Sequence, residues 1–222
     1  MNLCLFDLDH TLLPIDSDHA WGEFLISIGW VDEAAFRRAN DGFYAAYLAG
    51  RLDIAAYVDF TTRPVRERGM AEGEAVRRRF MREVIEPHVK PAALELVEVH
   101  RAKGDLIALV TATNEFVTAP IAERFGIETL IAVRLERGPG GTITGRIDGV
   151  PSYQAGKVTR VADWLRSLGT DWDAMERISV YSDSPNDLPL LEKATDPVAT
   201  NPSSDLEAIA RERGWRILNL FA

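Results

Sequence analysis

The sequence predicts an α/β protein in which a doubly wound parallel sheet carries an inserted all-helical cap. Short apolar runs end in polar residues, as strands buried in a parallel sheet do. Residues 89–222 alternate helix-like and strand-like segments, whereas residues 14–88 show helical periodicity alone. We therefore expect a core formed by residues 1–13 and 89–222 and a cap formed by residues 14–88.

The N-terminal part of the chain begins with a strand and continues with helices. Leu3–Phe6 is an apolar run closed by Asp7, which is typical of a strand buried on both faces. Apolar and aromatic residues then recur at helical spacing, so we expect amphipathic helices in the cap. Their segments are 17–28, 36–48, 53–65 with an interruption at Pro64, and 71–85.

The rest of the chain alternates helices with strands, which indicates repeated crossover connections. The expected helices are 92–102, 115–125 and 155–168, and the expected strands are 106–110, 130–135 and 178–181. Gly138–Gly141 followed by Thr142–Ile147 predicts a β-hairpin flap at about 136–150. Ser204–Glu207 has the pattern of a capping box that opens the last helix, and Trp215–Leu220 is expected to be an edge strand.

Composition excludes several classes of protein. The 222 residues are 46% hydrophobic and 27% charged, as in folded globular proteins, and a net charge of −9 disfavours nucleic acid as a partner. No run approaches the about 18 to 20 apolar residues of a membrane span, and the acidic N-terminus does not resemble a signal peptide. A single cysteine, Cys4, allows no intramolecular disulfide. We therefore expect a cytoplasmic protein without a membrane partner.

Polar clusters follow three of the predicted strands. Asp7 and Asp9 follow the first, Thr111–Asn114 follows the second, and Ser182–Asp187 follows a later one, while Lys157 begins a helix between them. Because ligands bind beyond the carboxyl ends of parallel strands, we expect these clusters to meet at one place. Carboxylates, a hydroxyl and an ammonium together suit a phosphate and a divalent cation.

The residue types suggest a division of chemical roles. Asp7 and Asp183 offer the hard oxygen ligands that Mg²⁺ prefers. With its charge offset by the metal, Asp7 could attack phosphorus and form an acyl phosphate, while Asp9 gives and later takes a proton. Thr111 and Lys157 would hold the equatorial oxygens of the phosphate.

The order and spacing of these four clusters resemble the haloacid dehalogenase-like superfamily. The first motif has the form DxDxT at Asp7, Asp9 and Thr11, which in that superfamily implies a phosphatase or phosphotransferase. The resemblance implies a nucleophile at Asp7, a general acid/base at Asp9 and Mg²⁺ as cofactor. The remaining roles that it implies are phosphate binding by Thr111, Ala112, Lys157 and Asn186, metal coordination by Asp7, the Asp9 backbone carbonyl and Asp183, and support by Thr11 and Asp187.

A helical insert directly after the first motif is similar to subfamily IB, which contains phosphoserine phosphatase. Phosphoserine phosphatases carry a glutamate near Asp16, where it meets the substrate amine, so Asp16 becomes a candidate for substrate specificity. Asp16 is shorter than that glutamate, and Thr111 stands where the second motif usually has serine. We therefore do not transfer specificity for phosphoserine to this chain. Related enzymes act on histidinol phosphate, phosphocholine or phosphoethanolamine, and we expect a small phosphorylated metabolite with a cationic head group.

Simpler interpretations stay open for single residues. Asp7 and Asp9 alone could belong to a solvated loop, and the Thr111 hydroxyl could cap a helix. Asp16 could be no more than a charge at a helix N-terminus where Ser17 or Asp18 is the N-cap, and the cap aromatics are expected to form mainly the core of the cap. For the whole chain, the alternatives are transfer of the phosphoryl group to another acceptor, a non-enzymatic phospho-aspartate receiver, and a non-catalytic scaffold.

Overall fold

The computed structural model describes residues 1–221 and confirms the predicted fold class. Six parallel strands form one sheet in the order β3-β2-β1-β6-β7-β8, and two short antiparallel strands, β4 and β5, form a hairpin. The strands are β1 (Asn2–Phe6), β2 (Leu106–Asn114), β3 (Thr129–Val133), β4 (Leu135–Arg137), β5 (Ile143–Ile147), β6 (Arg177–Ser182), β7 (Asp196–Thr200) and β8 (Arg216–Leu218).

Helices connect the strands, and an all-helical insert lies between β1 and β2 as predicted. The helices are α1 (Ser17–Ser27), α2 (Glu33–Leu48), α3 (Ile54–Arg68), α4 (Met70–Phe80), α5 (Glu86–His88), α6 (Pro91–Ala102), α7 (Glu115–Arg124), α8 (Ala155–Ser167), α9 (Leu188–Leu191) and α10 (Ser204–Arg213), with a π-helical turn at Met81–Ile85. The exact division between core and cap, at residues 13/14 and 88/89, stays a prediction.

The sheet has a buried hydrophobic cluster on each face. Leu3 and Leu5 of β1 pack on one side with Leu165 of α8, whereas Cys4 and Phe6 pack on the other side, toward the inserted helices. Successive residues of a strand point to opposite faces, so this central strand is apolar throughout. The pattern explains why β1 is recognisable in the sequence as an unbroken apolar run.

Several expected elements differ from the structure. The strand expected at 106–110 continues to Asn114 in β2, and the strand expected at 130–135 is divided between β3 and β4. The predicted interruption at Pro64 is wrong, because α3 continues through this residue to Arg68. Pro64 and its neighbour Val65 are buried, and packing of that face outweighs the hydrogen bond that proline cannot donate. The strand β7 was not predicted, since Asp196 and Pro197 open it and both residue types are rare in strands.

Two predicted helix caps lie one residue away from their expected positions. Ser203, not Ser204, is the N-cap of α10, and its hydroxyl accepts a hydrogen bond from the Leu206 amide. At α1 the N-cap is Asp16 rather than Ser17 or Asp18. The side chain that satisfies the free amides of a first helical turn depends on backbone angles that the residue types alone do not specify.

The predicted β-hairpin and the predicted last strand are present in the structure, and the role of the hairpin as a flap stays a prediction. β4 and β5 pair antiparallel in the hairpin, and β5 packs against α3 of the insert. A side chain at Gly145 would collide with the guanidinium of Arg66, since a Cβ atom there would lie 2.6 Å from Cζ. β8 forms the edge of the sheet beside β7. Within the described residues, no helix has both the length and the apolarity that a membrane crossing requires.

Candidate active site

The loop after β1 is held by backbone hydrogen bonds and buried leucines. The Asp7 amide donates to the Tyr181 carbonyl of β6 over 2.9 Å, and the Leu12 and Leu13 amides both donate to the Leu8 carbonyl. Leu8, Leu12 and Leu13 are fully buried. Because these leucines anchor the turn in the core, the intervening carboxylates of Asp7 and Asp9 are held in place at the end of the sheet.

Lys157 links two of the predicted site residues. Its Nζ lies 2.7 Å from Asp7 Oδ1 and 2.7 Å from Asp187 Oδ1, and Ser182 Oγ donates to Asp187 Oδ2 over 2.8 Å. The ammonium is almost completely buried. Burial alone would lower the pKa of Lys157, but Asp187 and Asp7 more than offset that effect and raise the pKa. The lysine is therefore a charged, fixed group.

A tight turn places Lys157 at the start of α8. A Cβ atom at Gly156 would lie 2.1 Å from the Pro151 carbonyl oxygen, so only glycine fits there. Gln154, the residue before the helix, has a positive φ of 48°. The chain thus turns sharply between the flap and α8, and that turn positions the lysine against the end of β1.

Thr11 brings Asp7 and Asp183 together. Its hydroxyl lies 3.3 Å from Asp7 Oδ2 and 3.3 Å from Asp183 Oδ1, and it accepts a hydrogen bond from the Asp183 amide at 3.1 Å. Burial, and then the charges of Asp7 and Asp187, raise the pKa of Asp183 well above its usual value. Two carboxylates that approach one hydroxyl in a buried place form a strongly negative pocket.

Asp9 is hydrogen-bonded on both carboxylate oxygens. Oδ1 accepts from the Ser17 amide at 2.7 Å, and Oδ2 accepts from the Thr113 hydroxyl at 2.8 Å. Burial, and then the charge of Asp16, raise the pKa of Asp9 to about 6, although these hydrogen bonds oppose the rise. Burial likewise raises the pKa of Asp7 to about 7 against the attraction of Lys157. Burial thus favours the protonated form of both carboxyl groups.

The end of β2 supplies hydroxyl and backbone groups. Thr111, Ala112 and Thr113 line the same cavity as Asp7 and Asp9. Thr111 does not cap α7, because Asn114 does so by accepting hydrogen bonds from the amides of Phe116 and Val117. Thr113 was not predicted as a site residue. Its position in the polar run Thr111–Asn114 is the only signal in the sequence that could have indicated such a role.

Asn186 contacts the insert instead of the carboxylates. Its amide Nδ2 donates to the Tyr47 carbonyl of α2 at 2.9 Å, and Gln154 Nε2 lies 3.4 Å from its Oδ1. Asn186 is thus hydrogen-bonded to the inserted helices, as Asp9 is through the Ser17 amide of α1. Asp7, Thr11, Lys157, Asp183 and Asp187 form one connected cluster, and Asp9 lines the cavity beside it.

A cavity lies between the ends of the strands and α1–α3. Its residues on the insert side are both acidic and aromatic. The expectation that the aromatic residues form mainly the core of the cap holds for Trp21 and Phe24, which are buried in the hydrophobic cluster. The cavity is lined by Asp7, Asp9, Asp16, Asp18, His19, Asn40, Phe43, Tyr44, Tyr47, Leu52, Tyr57, Thr111, Ala112 and Thr113.

Asp16 lies at the entry to the insert and lines the cavity. Its Oδ1 accepts a hydrogen bond from the His19 amide at 2.7 Å and so caps α1. Burial raises the pKa of Asp16. Asp16 is therefore itself the cap of α1, rather than a charge beside a cap at Ser17 or Asp18, and it lines the cavity as well.

Comparison with known proteins identifies the relatives of this chain. Residues 4–192 match the model of the haloacid dehalogenase-like hydrolase family. The chain is 43% identical over 218 residues to a histidinol-phosphatase of Neisseria meningitidis serogroup C, and the match covers 98% of both chains. It is 30% identical over 215 residues to a phosphoserine phosphatase of Mycobacterium tuberculosis, covering 96% of this chain and 68% of that one.

Solved structures share the fold. A protein of unknown function from Bordetella pertussis Tohama I is 47% identical, covers 99% of each chain and superposes with a TM-score of 0.93. A substrate-bound phosphoserine phosphatase superposes with a TM-score of 0.67 at 16% identity, covering 98% of this chain and 92% of that one. At that low identity, the second likeness shows the fold alone.

Proposed function

The chain belongs to the haloacid dehalogenase-like hydrolases and is a phosphatase, and we propose that it hydrolyses histidinol phosphate through an aspartyl-phosphate on Asp7. The observation that carries this proposal is the connected cluster of Asp7, Lys157 and Asp183 beside a cavity that Asp9 also lines. The choice of substrate is supported by the Neisseria histidinol-phosphatase, which matches the chain over almost its whole length.

In the first half of the reaction, Asp7 attacks phosphorus. Lys157 holds Oδ1, so Oδ2, whose neighbour is the Thr11 hydroxyl at 3.3 Å, is the oxygen that forms the new P–O bond. The P–O bond to the alcohol breaks, and Asp9 transfers its proton to the leaving oxygen. The products of this half are histidinol and a phosphorylated Asp7 carboxyl.

In the second half, water attacks the phosphorus of the aspartyl-phosphate. Asp9, now ionised, takes a proton from this water, the P–O bond to Asp7 breaks, and phosphate leaves. The Ser17 amide and the Thr113 hydroxyl hold both Asp9 oxygens and thus fix the direction of the carboxyl group. A pKa of about 6 makes both of its protonation states accessible near neutral pH.

The predicted phosphate-binding groups surround the attacked phosphorus in this scheme. Thr111 and Ala112 line the cavity beside Asp7 and would contact the phosphate oxygens through a hydroxyl and a backbone amide. Lys157 would offset part of the charge of the phosphate. Asn186 would reach the phosphate only with a change of its hydrogen bond to the Tyr47 carbonyl, so its assignment also requires movement of the insert.

The residues present suit a Mg²⁺ ion. Asp7 and Asp183 approach the same hydroxyl of Thr11, and both are carboxylates, the ligands that Mg²⁺ prefers. Lys157 is already shared by Asp7 and Asp187, whereas no ion pair of Asp183 occurs within residues 1–221. Asp7, Asp183 and the Asp9 carbonyl would hold the ion. When bound, Mg²⁺ offsets the negative charge of the carboxylates and of the substrate phosphate.

The test is phosphate release from a panel of monoesters, with Mg²⁺ and with a chelator. The panel contains histidinol phosphate, phosphoserine, phosphocholine, phosphoethanolamine and a sugar phosphate, and Asp7→Asn is the blank. We expect metal-dependent release, lost in Asp7→Asn, with a kcat/KM for histidinol phosphate at least about 100-fold above the other esters. Preference for another ester would overturn the substrate assignment, and full activity of Asp7→Asn would overturn the mechanism.

A further inference from the structure

The cavity contains a second carboxylate on the insert side, that of Asp18, in addition to Asp16. Only 7% of Asp18 is exposed. The hydrogen bonds that it accepts from the Thr61 hydroxyl and from the Asn114 amide both reach Oδ1, and both are 3.5 Å long. Such distances are at the far limit for a hydrogen bond, so these two contacts stabilise a buried charge poorly.

Asp18 has no evident structural task in its own helix. Asp16 is the cap of α1, and Asp18 lies in the first turn without serving as a cap. No lysine or arginine within residues 1–221 forms an ion pair with Asp18 or lines this cavity, in which His19 is the basic side chain. A buried carboxylate without a cation costs free energy unless a ligand pairs with it.

The surroundings of Asp18 suit a flat ring. The Tyr57 hydroxyl of α3 donates a hydrogen bond to Asp18, and the Tyr57 ring packs against the ring of Phe43 with centroids 5.2 Å apart. Phe43, Tyr57 and Leu52 line the cavity. This end of the cavity thus combines aromatic and aliphatic walls with one hydrogen-bond acceptor, an arrangement that binds an aromatic ring carrying an N–H group.

Histidinol phosphate carries two nitrogen groups at different distances from its phosphate. The ammonium is on the carbon next to the CH₂–O–P unit, and the imidazole is attached one carbon further away. The cavity likewise offers two carboxylates outside the Asp7–Asp9 pair, Asp16 and Asp18. Two donors of the substrate can thus meet two acceptors of the insert.

We propose that Asp18 is the specificity-determining residue that accepts a hydrogen bond from the imidazole N–H of the substrate, an inference that rests on the proposed function. Asp16 then faces the ammonium group, which histidinol phosphate shares with phosphoserine and phosphoethanolamine. Asp18 therefore selects for the ring, and Asp16 selects for the amine.

This assignment predicts which ester the protein rejects. Phenylalaninol phosphate has an ammonium group and a flat ring but no N–H on that ring. Binding it would leave the Asp18 carboxylate buried against an apolar surface and unpaired. Sites built around a buried hydrogen-bonding group discriminate strongly against a ligand that lacks the partner.

The test compares kcat/KM for histidinol phosphate, phenylalaninol phosphate and alaninol phosphate, in which a hydrogen atom replaces the ring. In wild type we expect a ratio of histidinol to phenylalaninol phosphate of at least about 100. Asp18→Leu should lower this ratio by about 100-fold, and Asp18→Asn, which still accepts a hydrogen bond without the charge, by about tenfold. Thermal melting checks that both variants are folded. If Asp18→Leu does not fold, Asp18→Asn alone tests the inference.

Two control variants separate binding of the ring from other effects. Asp16→Asn should lower kcat/KM for all three esters by a similar factor and leave the ratio unchanged, because each ester carries the ammonium group. Asp53→Asn, at the exposed N-cap of the helix that carries Tyr57 and Thr61, should leave every value unchanged.

The outcomes distinguish this inference from the proposed function. Wild-type turnover of histidinol phosphate with a ratio that both Asp18 variants leave unchanged would overturn the role of Asp18 alone. An equal loss for all three esters in the Asp18 variants would also overturn it, since a structural role predicts that result. Absence of wild-type turnover of histidinol phosphate would overturn the proposed function and this inference together.

Discussion

The two sides of the cavity differ in how their charges are balanced. At the ends of the strands, the Lys157 ammonium contacts Asp7 and Asp187, and the Thr11 hydroxyl joins Asp7 to Asp183. On the insert side, Asp16 and Asp18 have no ion pair with a lysine or arginine in residues 1–221. The first side thus contains a cation of the protein that pairs with two of its carboxylates, whereas the two carboxylates of the second side pair with no lysine or arginine in the part of the chain that the structure describes.

Of the variants that test this comparison, Asp9→Asn should lose the most activity. The amide can keep the contacts with Ser17 and Thr113 but cannot transfer a proton to the leaving oxygen. We expect kcat/KM for histidinol phosphate to fall by about 10²- to 10⁴-fold. The fall should be much smaller for p-nitrophenyl phosphate, whose leaving group needs no proton. Steady-state kinetics with both esters measure the difference.

The exposed carboxylate of Asp173 provides the matched control, since Asp173→Asn removes an acid far from the cavity. Its kinetics should equal those of wild type. An equal loss for both esters in Asp9→Asn would contradict the role of Asp9 as the proton donor to the leaving group.

The next effect concerns Lys157, the cation on the strand side. Lys157→Met would leave Asp7 and Asp187 buried and facing each other without their shared counter-ion. We expect the free energy of unfolding to fall by about 3 to 5 kcal/mol and kcat/KM to fall by about 10²- to 10³-fold. Urea denaturation and phosphate release measure the two losses. Lys193→Met, at an exposed position, is the control, and equal stability of the two variants would contradict the account.

A smaller effect is expected on the insert side, at Gly22. A Cβ atom there would lie 2.5 Å from the amide nitrogen of Asn40, a buried residue of α2 that lines the cavity. Gly22→Ala should therefore cost about 1 to 3 kcal/mol of stability and raise KM more than it lowers kcat. Gly42→Ala, in the same helix as Asn40 and with open space around it, should be neutral or stabilising by up to about 1 kcal/mol. Equal thermal stability of the two variants would contradict this packing argument.

The smallest effect lies away from both sides of the cavity, at His100. Its ring is buried, with Nδ1 at 2.7 Å from Asp105 Oδ2 and Nε2 at 2.8 Å from the Tyr181 hydroxyl. Burial lowers the pKa of His100, the carboxylate of Asp105 opposes this, and Lys103 and Arg177 add to the lowering. The imidazole is thus neutral in the folded protein.

The sign of the pH effect follows from this pKa. The unfolded chain binds a proton at His100 below about pH 6.5, whereas the folded chain binds it only at lower pH. Wild type should therefore lose stability relative to His100→Gln as the pH falls from 7.5 to 5, by at most about 1.4 kcal/mol per pH unit. Urea denaturation at several pH values measures the difference, and His88→Gln is the control. A difference that stays constant with pH would contradict the neutral state of His100.

The sequence predicted those site residues whose positions depend on the topology of the backbone. Asp7 and Asp183 each follow an apolar strand, Thr111 lies toward the carboxyl end of another, and parallel strands bring these ends to one edge. The position of Lys157 could be predicted because a helix was expected to begin there, after the hairpin. These placements depend on strand order and crossovers, which alternating apolar segments indicate well.

The insert side was less predictable because its geometry depends on side-chain packing between helices. Helical periodicity predicted α1 to α3 but not which of their residues face the cavity, so Phe43, Tyr44 and Tyr47, which line it, were expected mainly in the core of the cap. Pro64 within α3 and the strand β7 show the same limit, since tertiary contacts outweigh local propensity in both.

The central claim is a phosphorylated intermediate on Asp7, and trapping that intermediate tests it most directly. Wild-type protein turning over histidinol phosphate with Mg²⁺ is quenched with borohydride, which reduces an acyl phosphate to the alcohol and so converts the aspartate to homoserine. Peptide mass spectrometry should then find homoserine at position 7 in wild type and an unmodified peptide in Asp7→Asn. Rapid turnover of histidinol phosphate without homoserine at position 7, or with homoserine at another aspartate, would contradict the account.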